Sequence, residues 1–174
     1  MAGDHYDFLT KWRFDGATIT EVADILEDTA SLPRWWPQLF RKVTIVKPGG
    51  AHRLGEVAHC ECRARLPYTL RFTYTCTDVR YPYGSTIEST GDLVGRGVWR
   101  LEQRAGGVDV EYSWRVLLEK PLLRLLSPVF RPLLAGNHEW SMQRGEEGLR
   151  AELTRRRAAG PLTDGGKDVS LGAT

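Results

Sequence analysis

Three groups of side chains in this 174-residue chain are of types from which chemistry can be built. The first is Cys60-x-Cys62 with Cys76. On a strand Cys60 and Cys62 would share a face, and a hairpin turning at Leu66-Pro67 would bring Cys76 opposite Cys60, making a three-thiolate corner suited to zinc. No fourth ligand stands at metal spacing, and free cysteine is a small core residue far more often than a ligand. The expectation is no metal. Three cysteines cannot all pair and do not form a secretory framework, so reduced thiols are expected as well. The second group is Asn137-His138 with Ser141 one helical turn on. Imidazole titrates near neutrality, so His138 is a candidate acid or base, and Asn137 and Ser141 can each offer a hydrogen bond to a ligand carbonyl or hydroxyl. No sequence-local acid or nucleophile orients His138. The plainer alternative is that His138 bonds a neighbouring carbonyl and that Asn137 and Ser141 bond the sheet or buried water. The third group is aromatic: Phe72, Tyr74, Trp99, Tyr112 and Trp114. It suits a flat apolar or polyaromatic ligand, with the tyrosine hydroxyls selecting orientation, although aromatics are also ordinary sheet core.

Those groups need elements to hold them. Residues 5–14 alternate, with Tyr6, Phe8, Trp12 and Phe14 on one side and Asp7, Lys11 and Arg13 on the other, which predicts a half-buried strand. A short helix follows, with Val22, Ile25 and Leu26 at helical spacing behind a threonine cap. Ser31-Leu32-Pro33 predicts a second brief helix carrying Trp35 and Trp36 and stopped by Pro37. From Val43 the alternation resumes, broken at Pro48-Gly49-Gly50, Leu66-Pro67, Tyr81-Pro82-Tyr83-Gly84, Gly91-Asp92 and Ala105-Gly106-Gly107. These breaks predict six further strands joined as a meander. Gly95 and Gly97 within the sixth strand suggest a bulge or bend there. Period two turns Ala58, Cys60 and Cys62 inward, then Leu70, Phe72, Tyr74 and Cys76, and the wall continues through Trp99, Leu101, Val110, Tyr112, Trp114 and Val116.

A helical projection of residues 129–157 puts Glu139, Gln143, Glu146, Glu147 and Arg150 toward water. Opposite them lie Phe130, Leu134, Asn137, His138, Ser141, Gly145, Gly148 and Leu149. The middle of that stripe is small and polar where tight packing would call for bulk. Either backbone approaches closely at the glycines or space is left, and in a ligand-binding reading Gly145 and Gly148 supply room.

Other features read more plainly. The apolar, proline-interrupted run from Lys120 to Leu134 could form a gate or a membrane-touching lip. It reads better as the kinked start of the last helix, with Ser127 as cap and Pro128 just inside. Arg155-Arg156-Arg157 suits the dipole of a helix C-terminus. A formal charge of +2 with acids and bases well mixed argues against a nucleic-acid partner. The opening Met1-Ala2-Gly3-Asp4-His5-Tyr6-Asp7 lacks a basic run followed by an apolar core, and nowhere do about 18 apolar residues run together. A cytoplasmic protein without stable membrane insertion is expected. Residues 1–158 should form one domain, with 159–174, rich in Gly and Asp, a disordered tail.

Leu32-Pro33-Arg34-Trp35-Trp36-Pro37, then Gly91-Asp92-Leu93-Val94-Gly95-Arg96-Gly97-Val98-Trp99, then Asn137-His138-Glu139-Trp140 leading into Arg144-Gly145-Glu146-Glu147-Gly148-Leu149 resemble bacterial members of the START-like, or SRPBCC, superfamily. Members of this kind are commonly described as polyketide cyclase/dehydrase-like or lipid-transport proteins, and the likeness covers roughly residues 5–155. The resemblance implies an α+β helix-grip fold: a curved antiparallel sheet of about seven strands wrapped on a long C-terminal helix, with two short helices after the first strand. It also implies a hydrophobic cavity between sheet and helix. It transfers no catalytic set and no iron-centre motif.

The expected function is therefore binding of a small hydrophobic or aromatic molecule, lipid or polyketide-like, with no cofactor. Cys60, Cys62, Phe72, Tyr74, Trp99, Tyr112, Trp114, Phe130, Leu134, Asn137, His138, Ser141 and Gly145 are the expected ligand-binding residues. The alternative is an aromatase/cyclase-like enzyme in which His138 or Tyr74 moves a proton during ring closure and dehydration. A third reading has the pocket collapsed and the protein acting through surface contacts with a partner.

Overall fold

The computed structural model describes residues 5–65, 68–118 and 127–160. The turn at Leu66-Pro67, the run before Ser127, the side chains of Phe130 and Leu134, and the tail beyond Gly160 lie outside the described residues. The element order is β1 (His5–Asp15), α1 (Ile19–Glu27), α2 (Leu32–Trp35), β2 (Phe40–Lys47), β3 (Val57–Cys62), β4 (Leu70–Val79), β5 (Gly84–Gly91), β6 (Leu93–Arg104), β7 (Gly107–Leu118) and α3 (Ser127–Ala159). Single 3-10 turns, Thr29–Ser31 and Ala51–Arg53, precede α2 and β3. The sheet order β1-β7-β6-β5-β4-β3-β2 is a meander of six strands with β1 returning beside the last, and every pairing is antiparallel. This is the helix-grip arrangement.

Local chemistry explains the boundaries. The first helix starts at Ile19 because Thr18 and Glu21 form a reciprocal capping box: the Glu21 amide donates to Thr18 Oγ1 at 3.3 Å and the Thr18 amide to Glu21 Oε2 at 2.8 Å. Ser31 does not cap α2 with its side chain; its hydroxyl donates back to the Asp28 carbonyl at 2.7 Å and closes the 3-10 turn instead.

Two strand-level expectations are corrected. Gly95 and Gly97 pair in unbroken register with both neighbours, so there is no bulge at either. A Cβ on Gly97 would stand 2.5 Å from Tyr112 Oη and 2.9 Å from Trp114 Cε3, so this glycine leaves room for two rings on the inner face. Cys76 is not opposite Cys60: the register puts Phe72 there and Tyr74 opposite Ala58, while the Cys76 amide bonds the Glu56 carbonyl at 2.9 Å. All three thiols are buried and free.

The last helix meets the rest of the molecule in two different ways. Over its second half Leu149 and Leu153 enter a core with Trp12, Phe14, Val22, Ile25, Trp35 and Trp36. A Cβ on Gly145 would lie 2.5 Å from Trp36 Cε2, and one on Gly148 would run into the Trp35 carbonyl. The glycines therefore bring backbone onto two indoles and leave no room for a ligand, contrary to the expectation for Gly145 and Gly148. The Trp36 indole N–H donates to the Ser141 carbonyl at 2.9 Å and fixes the same contact from the other side.

The helix end is pinned by charge. Glu152 is only 3% exposed. It accepts from Arg155 Nε at 2.7 Å, Arg34 Nη2 at 2.7 Å and Arg156 Nε at 2.9 Å. Arg155 first, with Arg34 and Arg156, holds its carboxyl far below the ordinary range. Arg156 also reaches Asp28 at 2.6 Å and Arg157 reaches Glu21 at 2.7 Å. Arg156 and Arg157 thus tie α3 to α1 and the residue that ends it, Arg34 ties α2 to Glu152, and Arg155 closes an i, i+3 pair within α3. Arg157 pushes the Glu21 carboxyl down to about 2, aided by the bonds from Thr18.

Candidate functional site: a cavity under the first half of the last helix

Where α3 carries Asn137, His138 and Ser141 it touches β1 through His138 but stands off from the middle of the sheet, and a cavity of about 200 Å³ lies beneath it. Of the expected site residues, Cys62, Phe72, Tyr74, Trp99, Tyr112, Trp114, Asn137, His138 and Ser141 line it. Cys60 does not reach it, being packed among Ala58, Phe72 and Tyr74, and Gly145 is taken up by Trp36. The walls are largely aromatic. Tyr112 stacks on Trp99 with ring centroids 4.1 Å apart, and Phe8 of β1 stacks on His138 at 4.0 Å. Desolvation pushes the Tyr112 phenol well above its ordinary range, so it is a neutral hydroxyl.

His138 is neutral too. Its ring is held by Phe8 and by Thr10 Oγ1, 3.5 Å from Nε2, and burial pushes its pKa down to about 4. A group with that value holds a proton too weakly to be an acid at neutral pH. The Asn137 side-chain carbonyl accepts the Arg65 amide at 3.0 Å, and the Ser141 hydroxyl donates to the Asn137 backbone carbonyl at 2.7 Å. Both oxygens are thereby engaged, Ser141 with its own helix and Asn137 with the connection after β3 rather than with a strand. Tyr68, just before β4, lines the same space with its hydroxyl buried and without a hydrogen-bond partner among the described residues. Burial pushes that phenol up to about 12.

One end of the cavity is polar, and this was not read from the sequence. Arg53, in the turn between β2 and β3, lines the cavity. Its guanidinium lies 3.8 Å from Glu56 Oε1, with both side chains nine-tenths buried. The Thr29 hydroxyl donates to Glu56 Oε1 at 2.6 Å, and the Tyr74 hydroxyl stands 2.7 Å from Thr29 Oγ1 and 3.0 Å from Glu56 Oε1. Desolvation raises the Tyr74 phenol far above its usual value, outweighing the pull of Arg53. Tyr74 is thus a fixed donor with its proton retained. The turn that supplies Arg53 has no periodicity to mark it; the one local hint is a charged pair spaced i, i+3 in an otherwise small-residue connection.

Among the described residues no three His, Cys, Asp or Glu side chains converge to hold a metal ion, and no helix is long and apolar enough to cross a membrane. No curated protein matches the chain by sequence. Similar solved structures include the protein TTHA0849 from Thermus thermophilus, 14% identical with a TM-score of 0.74, covering 90% of this chain and 100% of that one. The Zhui aromatase/cyclase from Streptomyces sp. R1128 is 16% identical with a TM-score of 0.71, covering 92% and 100%. A point mutant of norcoclaurine synthase from Thalictrum flavum, in complex with a transition-state analogue, is 10% identical with a TM-score of 0.60, covering 90% and 99%. At such identities these structures share the fold. The model of the family described as polyketide cyclase/dehydrase and lipid transport matches residues 11–154. The chain belongs to that family, within the START-like, or SRPBCC, superfamily.

Proposed function

We propose that this protein binds one small aromatic or otherwise hydrophobic molecule in the cavity between the sheet and the first half of α3, as a carrier or sensor and not as a catalyst. The observation that carries the reading is the contrast along α3: backbone pressed onto Trp35 and Trp36 at Gly148 and Gly145, and a cavity of about 200 Å³ beside Asn137, His138 and Ser141. Apolar cavities of about 150 Å³ take up benzene, so this one suits a molecule of one or two rings better than a long acyl chain. Aromatic walls provide the contact area, and a few buried polar groups set orientation.

Two features favour binding over the cyclase alternative. His138 is neutral through the physiological range and stacked in place, and the Tyr74 phenol keeps its proton. Neither is poised to move a proton near pH 7. We place this activity in residues 1–158 as one domain and, with three free thiols, in the cytoplasm.

Trp36, Trp99 and Trp114 line the cavity, so their fluorescence reports its occupancy. Titration with naphthalene should change that emission saturably. Ile87 also lines the cavity, and Ile87→Phe should weaken binding about tenfold or more by occupying the space, with a thermal midpoint within a few degrees of the parent. Unsaturable, variant-independent quenching would reject the reading.

A further inference from the structure

The polar end of the cavity is marked by the guanidinium of Arg53. The Arg53 side chain is 9% exposed; Nη2 makes a hydrogen bond of ordinary length, to Ser85 Oγ at 3.1 Å, while the Nη1 contacts, to Thr29 Oγ1 at 3.4 Å and to Tyr74 Oη at 3.5 Å, are long. Its Nε is buried, with no hydrogen-bond partner among the described residues and almost no surface that a ligand could reach. A guanidinium carries five N–H donors, and the two on Nη1 are held by long contacts beside the cavity, so a better acceptor there is called for.

The backbone reinforces the point. His52 and Arg53 both adopt left-handed conformations, with φ of 48° and 59°. Non-glycine residues seldom do so, and two in succession persist only where surrounding contacts hold them. Those contacts are present: His52 stacks on Tyr81 with centroids 3.9 Å apart and bonds Glu27 at 3.1 Å. The turn is braced against α1 and the β4–β5 connection, and it delivers Arg53 inward.

Charge narrows the acceptor. Glu56 already balances Arg53, at 3.8 Å, and the carboxylate oxygen on that side, Oε1, also takes Thr29 and Tyr74. A ligand carboxylate would bring a second negative charge into a buried site that is already neutral, and its desolvation would go uncompensated. A neutral oxygen takes a weakly held Nη1 donor without that cost.

Building on the cavity-binding reading, we propose that Arg53 is the anchoring donor for the ligand: the site takes small aromatic molecules bearing a ketone or phenol oxygen, oxygen first, toward the β2–β3 turn. The rest of the molecule then lies among Trp99, Tyr112 and Trp114.

Three probes of like shape test this by tryptophan fluorescence at neutral pH: naphthalene, 1-naphthol and 1-naphthoate. The parent protein should bind 1-naphthol about tenfold or more tighter than naphthalene, and tighter than the naphthoate. Arg53→Met should erase the naphthol advantage while naphthalene affinity stays within about threefold. If removing the guanidinium alone unfolds the protein by stranding Glu56, the paired change Arg53→Met with Glu56→Gln removes both charges and is held to the same expectation. Equal affinity of the parent for naphthol and naphthalene, or a naphthol advantage that survives in the variant, overturns the Arg53 assignment while leaving cavity binding intact. Tighter binding of the naphthoate overturns the neutral-oxygen assignment. No binding of any probe overturns the cavity reading and this inference together.

Discussion

Gly145 lies against the indole of Trp36 so closely that a Cβ would stand 2.5 Å from Cε2 and 2.6 Å from Cζ2. The contact is structural, and Trp36 also lines the cavity. Gly145→Ala should therefore lower stability by about 1–3 kcal/mol, the usual cost of overpacking a filled site. Gly148→Ala should cost at least as much, because the Trp35 backbone that it meets cannot rotate away. Urea denaturation of both variants checks the point, and a neutral Gly148→Ala would show that the helix is not docked there.

Gly97 makes the complementary case. A Cβ at this position meets Tyr112 Oη and Trp114 Cε3, both inside the cavity wall. Displaced rings have empty space to move into, so Gly97→Ala should reduce naphthalene affinity by about tenfold or more while costing only about 1 kcal/mol of stability. Titration and denaturation on the same preparation separate the two effects.

The acid response should have two windows. His138 is lowered to about 4 in the fold from an ordinary 6.5, so the unfolded chain takes up a proton first as pH falls. Its contribution to stability is whole above pH 6.5 and is lost on the way down toward 4, on the order of 2–3 kcal/mol. Glu21, lowered to about 2 from 4.5, contributes above pH 4.5 and loses its contribution as pH falls toward 2. Denaturation between pH 7 and 4.5 should flatten in His138→Gln and be unchanged in Glu21→Gln.

Glu152→Gln removes the charge that Arg34, Arg155 and Arg156 share. The carboxylate is buried but its partners are about a third to a half exposed, so screening moderates the loss to about 1–3 kcal/mol. Ligand affinity should not change, because none of these residues lines the cavity. A parallel fall in naphthalene binding would mean that the end of the helix and the cavity are coupled.

Much of the wall was legible because strand period two is a strong signal: Phe72 and Tyr74 on β4, and Trp99, Tyr112 and Trp114 on β6 and β7, all face inward. Helical projection likewise brought Asn137, His138 and Ser141 to one side. What it left open was whether small residues on that side meant contact or space, and both occur, at different positions on one helix. Side-chain size alone does not say whether a neighbour arrives, and Trp35 and Trp36 come from more than a hundred positions earlier in the chain. Arg53, Glu56 and Glu152 were unreadable for the same reason. Charged residues are normally placed at the surface, and each of these is buried by partners from distant segments: Thr29 and Ser85 for the first pair, Arg34 for the last.

Because folding strength is gathered where α3 presses on Trp35 and Trp36, the lining beside Asn137 and His138 can change without endangering the molecule as a whole. Substitutions there would retune what is recognised at little risk of collapse, which makes this half of the protein the natural ground for divergence and the first place to engineer a new preference.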